Sequence, residues 1–355
     1  MPQCDHERVP PCGLWRAQLV RQITLSGPDI RSALTDPPGS VAGVPEPEIL
    51  IRAHDLTKRF GDFVAVDGIE FELRRGEAFG FLGPNGAGKS STMRMIGCVS
   101  PPSGGELSIL GMDPVTDGPA IRSRLGVVPQ EDTLDVELTV QENLLIYGRY
   151  FGLSRAVIAE RTARLLDFVQ LAERANDQVE PLSGGMKRRL TIARSLINEP
   201  EILILDEPTT GLDPQARHVV WDRLFRLKQQ GVTLILTTHY MDEAEQVCDR
   251  LVVMDGGKIA AEGSPRALID QYSTREVLEL RFHVADHEQA AGKLAHAPAE
   301  RMEVLADRVL LYVDNGDEVL GAVRGLGLEP VTSLVRRSTL EDVFLRLTGR
   351  RLEDG

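Results

Sequence analysis

The run Gly83-Pro84-Asn85-Gly86-Ala87-Gly88-Lys89-Ser90 constrains this chain more than any other stretch of it. It follows the apolar residues Phe79 to Leu82 and precedes the helix-compatible Ser91 to Cys98, so strand, glycine loop and helix fall in order. Its glycines let backbone N–H groups turn inward without a Cβ in the way, and the helix N-terminus adds partial positive charge. The result is an anion nest. Lys89 is placed to reach the β- and γ-phosphates of a nucleotide, and Ser90 to offer its hydroxyl to Mg2+. Gly83 to Ser91 are the expected nucleotide-binding residues.

A second signal completes the first. Ile202 to Leu205 is wholly apolar, as a strand covered on both faces should be, and it ends in Asp206-Glu207 at the edge where open α/β sheets bind ligands. A buried strand needs no acids. Asp206 is the expected Mg2+ holder, and Glu207, aimed differently one residue later, is the expected base for the attacking water. His239 ends the strand candidate Thr233 to Leu236 in the same way, where its ring could donate to the γ-phosphate.

Further short apolar runs at Ala78 to Leu82, Leu125 to Val128 and Arg250 to Met254 read as strands of one parallel sheet. Residues 131–180 read as a helical insert: Thr139 and Glu142 fit a capping box, and Ala156 to Leu171 fits a second helix. After Gln271 a new pattern starts, with strand candidates at Leu278 to Phe282, Val309 to Val313 and Val331 to Val335. A last helix carries Leu340, Val343, Phe344 and Leu347, opened by Ser338 with Glu341 and stopped by Gly349. The expected division is an extension over 1–47, an α/β domain over 48–270 and a small α+β lobe over 271–350. The extension holds eight of the 21 prolines and only one short helical stretch, Leu14 to Ile23.

Composition narrows the function. A net charge of -13 argues against a dedicated nucleic-acid binder, because phosphate neutralisation needs a dense basic face. No apolar run approaches the roughly 18 residues that span a bilayer, and the first residues lack a signal peptide. Cys4, Cys12, Cys98 and Cys248 show no disulfide or zinc spacing. His283, Asp286 and His287 lack a third firm ligand, so no metal is expected there. Lys187-Arg188-Arg189 reads as the solvated face of a helix, with a phosphate or partner contact as the alternative.

At Leu182-Ser183-Gly184-Gly185-Met186, between the glycine loop and Asp206, the chain resembles the signature motif of ATP-binding cassette (ABC) ATPases. Other motifs of that family have counterparts: Phe60 at the aromatic adenine platform, Gln130 at the Q-loop, Gly211-Leu212-Asp213 at the D-loop and His239 at the switch histidine. The resemblance spans roughly residues 48–268. It implies a P-loop NTPase fold, a RecA-like core plus helical subdomain, that hydrolyses ATP with Mg2+ held by Ser90, Gln130 and Asp206. It also implies a head-to-tail homodimer, in which one copy's phosphate loop and its partner's Ser183, Gly184, Gly185 and Met186 enclose each ATP. The insert would then grip a separate membrane permease, placing the chain peripherally on the cytoplasmic face of the membrane.

Phe60, Met186 and Thr210 replace residues commoner in the family, and none of these removes a charged or metal-binding group. More narrowly, Leu182 to Leu190, Pro129 to Asp132, Thr237 to Glu245 and Thr339 to Phe344 resemble export ATPases of the daunorubicin-resistance and nodulation-factor kind. Their cargo includes drug-like, lipid-linked and lipo-oligosaccharide molecules. An importer subunit, a soluble ABC protein acting on ribosomes or DNA, and a catalytically silent scaffold are the competing readings.

Overall fold

The computed structural model describes residues 47–349. The expected extension up to residue 46, with Cys4, Cys12 and the Leu14 to Ile23 stretch, lies outside them. The described chain opens with β1 (Ile49–Phe60) and β2 (Phe63–Arg74), then β3 (Ala78–Leu82), α1 (Lys89–Ile96), β4 (Gly104–Ile109), α2 (Gly118–Ser123) and β5 (Leu125–Val128). β1 pairs antiparallel with β2 and β4, and its end carries Phe60 to the rim of the domain.

Next come α3 (Val140–Tyr150) and α4 (Arg155–Phe168), a 3-10 turn at Ala172–Arg174, and α5 (Gly184–Ser195). The capping box is present: the Thr139 hydroxyl accepts from the Glu142 N–H, and the Glu142 carboxylate accepts from the Thr139 N–H at 2.9 Å. α4 stops at Phe168, short of the expected Leu171, and Gln170 takes a positive φ of 59° just beyond it.

The core resumes with β6 (Ile202–Asp206), α6 (Pro214–Gln229), β7 (Thr233–Thr238), α7 (Met241–Val247), β8 (Arg250–Asp255), β9 (Lys258–Gly263) and α8 (Pro265–Tyr272). Its sheet runs β5-β6-β7-β3-β8-β9, parallel except for β9. Both faces are covered, which is why β3, β6 and β7 read as unbroken apolar runs. One face packs on the β1 sheet and α1 through Phe71, Phe79 and Phe81, where the Phe81 ring meets those of Phe71 and Phe79 edge-on at centroid distances of 5.1 and 5.4 Å. The other face packs on the helices, with Leu190, Ile197, Leu224 and Leu268 in its core. The loops after β3, β6 and β7 therefore meet at one sheet edge.

The remainder is β10 (Glu276–Arg281), α9 (His287–Leu294), β11 (Arg301–Val304), β12 (Val309–Val313), α10 (Gly316–Gly325), β13 (Thr332–Arg337) and α11 (Leu340–Thr348). Its antiparallel sheet runs β11-β12-β10-β13. Leu278, Leu280, Val309 and Leu311 pack on α9 and α10. α11 belongs elsewhere: Leu340, Val343 and Phe344 are buried in the helical core of the α/β domain.

The cap of α11 also differs from the sequence reading by one residue. Asp342, not Glu341, accepts the Thr339 N–H at 2.8 Å, and Ser338 instead donates to Thr274 O at 2.6 Å. His287 directs Nε2 to Leu305 O at 2.7 Å.

Candidate functional site

Lys89 is the first residue of α1 and only 5% exposed. Gly88 precedes it with φ of 100°, and a Cβ there would lie 2.5 Å from Ala65 O, so the loop requires glycine at this point. Gly83 is equally confined, since its Cβ would meet Met254 O at 2.4 Å. Asn85 and Gly86 are exposed at the loop tip, while Pro84 and Ala87 are buried beneath it. No acidic side chain occupies the first turn of α1, where Ser90 and Ser91 sit, which leaves the N-terminal field open to an anion. Lys89 Nζ donates to Gly83 O at 2.7 Å and Pro84 O at 3.0 Å. Burial lowers its ammonium pKa, and Glu207 and Asp206 oppose that shift.

The acidic pair faces this loop. Ser90 Oγ lies 3.4 Å from Asp206 Oδ1, which also accepts from Thr237 Oγ1 at 2.5 Å. Ser90 Oγ and Asp206 Oδ1 are adjoining hard oxygen donors of the kind that fits Mg2+. When bound, that ion neutralises developing phosphate charge. Glu207 Oε1 stands 3.9 Å from Lys89 Nζ, and Oε2 accepts from Gln130 Nε2 at 3.2 Å and from Thr210 Oγ1 at 3.0 Å. His239 Nδ1 lies 3.3 Å from the same oxygen, at ion-pair range.

The adjacent imidazole, then Thr210 and Lys89, hold the Glu207 carboxyl below the ordinary glutamate value although burial pushes the other way. Glu207 is therefore an ionised acceptor at neutral pH. Its backbone is held in the left-handed region at φ 46°, where a residue with a Cβ rarely sits. Its N–H is fixed by Thr237, with Oγ1 at 3.0 Å and the carbonyl at 3.2 Å.

The signature residues lie at the start of α5. Ser183 caps it, accepting from the Met186 N–H at 3.3 Å, and Ser183 and Gly184 are exposed. Gly185 lets α5 approach α6, since a Cβ there would stand 2.9 Å from Ala216 Cβ. Asp213 caps α6 through the Ala216 N–H at 2.9 Å. Phe60 is half exposed, with Lys58 Nζ 5.1 Å from its ring centroid.

Three residues take roles at the site that the sequence reading did not give them. Thr210 bonds Glu207 and Thr237 bonds Asp206, one on the turn after the acids and the other on the neighbouring strand β7. Arg188 reverses the solvated-face reading. Its Nε donates to Pro208 O at 2.6 Å, its Nη2 to Asp206 O at 3.0 Å and Glu207 O at 3.1 Å, and its Nη1 to Pro129 O. Burial pushes its guanidinium pKa down to about 10, which still leaves it charged at neutral pH. Arg189 likewise turns inward, to Val169 O at 2.7 Å.

Residues 66–210 match the family described as ABC transporter, and residues 285–349 match the C-terminal domain of the nodulation factor export protein NodI. Over 312 residues the chain is 47% identical to the Nod factor export ATP-binding protein I of Cupriavidus pinatubonensis, covering 88% of this chain and 94% of that one. The chain belongs to the ABC transporter ATP-binding proteins. A second ABC relative, the protein of the same description from Rhizobium meliloti, is 47% identical over 309 residues, covering 87% of this chain and 91% of its own.

Among solved ABC structures, an ATP-binding subunit of an ABC transporter is 32% identical with a TM-score of 0.57, covering 63% of this chain and 93% of its own. A dimeric post-hydrolysis ATP-binding cassette bound to ADP and Pi is 27% identical with a TM-score of 0.55, covering 60% of this chain and 98% of its own. This ABC protein is accordingly an ATPase, and its fold is the α/β P-loop class expected from the glycine loop.

Proposed function

We propose that the chain is the ATP-hydrolysing motor of an exporter for a lipo-oligosaccharide or a similar lipid-linked molecule. The observation that carries export rather than import is the resemblance of residues 285–349 to the nodulation factor export C-terminal domain, joined to 47% identity across most of the chain. The ATPase core alone would serve either direction.

In this reading Glu207 takes a proton from the attacking water, Lys89 and the loop N–H groups hold the phosphates, and Ser90, Asp206 and Gln130 hold Mg2+. His239 and Gln130, both at Glu207 Oε2, orient the water and sense the γ-phosphate. Phe60 stacks on the adenine. Ser183 and Gly184 are exposed at a helix N-terminus, which supports their meeting the ATP held by a second copy, with Met186 and Asp213 steadying that face.

A cleft of about 640 Å³ between α2, β5 and α3 supports docking of a separate permease. Its rim presents apolar and aromatic surface, with Val99 75% and Tyr150 79% exposed. Among the described residues no helix is long and apolar enough to cross a membrane, and in this reading the transport path belongs to that partner.

The test is co-expression with a candidate membrane permease, followed by detergent pull-down and assay of exported lipo-oligosaccharide. Co-purification is expected for the parent and for Lys89→Ala, with export only for the parent. Export that persists in Lys89→Ala contradicts the reading.

A further inference from the structure

Arg188 lies in the second turn of α5, the helix whose first residues are the signature glycines. Its guanidinium spans two segments of its own chain, the Q-loop at Pro129 O and the catalytic turn at Asp206 O, Glu207 O and Pro208 O. These four acceptors are backbone carbonyls, so the contact fixes main-chain position whatever the side chains do. Pro129 immediately precedes Gln130, and Glu207 is the base of the proposed reaction. The peptide of Glu207 is thus held on its N–H side by Thr237 and on its carbonyl side by Arg188. A left-handed φ of 46° at a residue bearing a Cβ persists where its surroundings over-determine it, and these two clamps supply that.

We propose that Arg188 is a positioning residue for hydrolysis, carrying the seating of the partner copy's ATP on Ser183 and Gly185 into the Glu207 peptide and the Q-loop of its own chain. This rests on the head-to-tail dimer reading above. The helix is the rigid link: a displacement at its exposed N-terminus moves Arg188, and Arg188 moves the base. Arginine suits the task because its planar fork offers N–H groups in fixed directions. A lysine ammonium on a flexible stem cannot hold four separated carbonyls in register.

The experiment compares kcat and KM for MgATP in the full-length parent, Arg188→Lys and Arg188→Gln, with thermal unfolding of each. Sedimentation of Glu207→Gln with ATP, with and without Arg188→Gln, reports dimer closure. Both Arg188 substitutions are expected to lower kcat about 10- to 100-fold through misplacement of the base, with KM within about twofold and folding retained. The ATP-dependent dimer of Glu207→Gln is expected to survive addition of Arg188→Gln.

A kcat for Arg188→Gln within about twofold of the parent overturns the proposal. So does loss of the trapped dimer, which reduces Arg188 to a support for the signature helix. If Glu207→Gln stays monomeric with Arg188 intact while kcat still depends on Arg188, the head-to-tail reading fails, and with it the transmission between copies.

Discussion

The backbone N–H of Leu340 donates to Glu245 Oε1 at 2.8 Å. Leu340 begins the last helix of the described chain and Glu245 lies in α7, the helix that follows His239, so the C-terminal region is bonded to the element just beyond His239. Burial raises the Glu245 carboxyl pKa, and the Leu340 N–H counters it. Glu245→Ala is expected to destabilise the protein by about 1–2 kcal/mol, the cost of an orphaned helix N-terminal N–H, with Glu245→Gln closer to the parent. Urea unfolding of the two variants checks this, and equal losses would count against it.

Phe344 is fully buried among the helices of the α/β domain. Phe344→Ala is expected to cost about 3–5 kcal/mol and to lower the unfolding midpoint of the whole described domain in a single transition. A calorimetric trace in which only a minor, separate transition moves would show that α11 is not part of that core.

Asp342 is wholly buried and paired with Arg336 at 2.7 and 2.9 Å, with Tyr312 Oη at 3.2 Å. Burial alone would raise its carboxyl pKa, but Arg336 and the Thr339 N–H outweigh burial and depress it. A depressed carboxyl contributes stability that is full above its unfolded value and lost as pH falls through the folded value. Asp342→Asn is therefore expected to cost about 3 kcal/mol at neutral pH and to flatten the acid side of the stability profile below about pH 4. Urea midpoints measured across that range decide it.

Glu207 carries a depressed carboxyl as well, chiefly through His239. As a base it acts when ionised, so kcat/KM is expected to stay level down to the ordinary glutamate value of 4.5 and to fall only below it. In His239→Gln the acid limb of the residual activity should move to higher pH. An acid limb in the parent above 4.5 would contradict this assignment.

Phe60 is 50% exposed, as a stacking platform has to be. Phe60→Ala is expected to weaken MgATP binding about 3- to 10-fold, from roughly 0.5–1.5 kcal/mol of ring stacking, while leaving kcat intact. Fluorescent-nucleotide titration measures it, and unchanged affinity would remove Phe60 from the site.

Local chemistry made much of this molecule legible in sequence. The glycine loop, the apolar strands ending in acids and the Thr139 capping box are each written in adjacent residues, and the structure assembles them as expected. What the sequence did not convey depends on distant segments meeting. Arg188 looks solvated in the string because the carbonyls it bonds come from Pro129 and Asp206 to Pro208. The apolar stripe of α11 is visible, but which core receives it is not. β11, α9 and α10 escaped the reading because they are short and interrupted by glycine, alanine and charge, which blurs any period. The one-residue error at the α11 cap arose because Ser338 and Thr339 offer equivalent hydroxyls, and the Ser338 bond to Thr274 O and the Thr339 bond to Asp342 separate them.

The most direct test of the account is steady-state ATP turnover of the parent and Glu207→Gln, measured with Mg2+ beside equilibrium nucleotide binding. The account predicts equal ATP affinity and a turnover at least about 100-fold lower in the variant. Equal turnover rates would contradict it, because a site whose base can lose its charge without consequence is not the site described here.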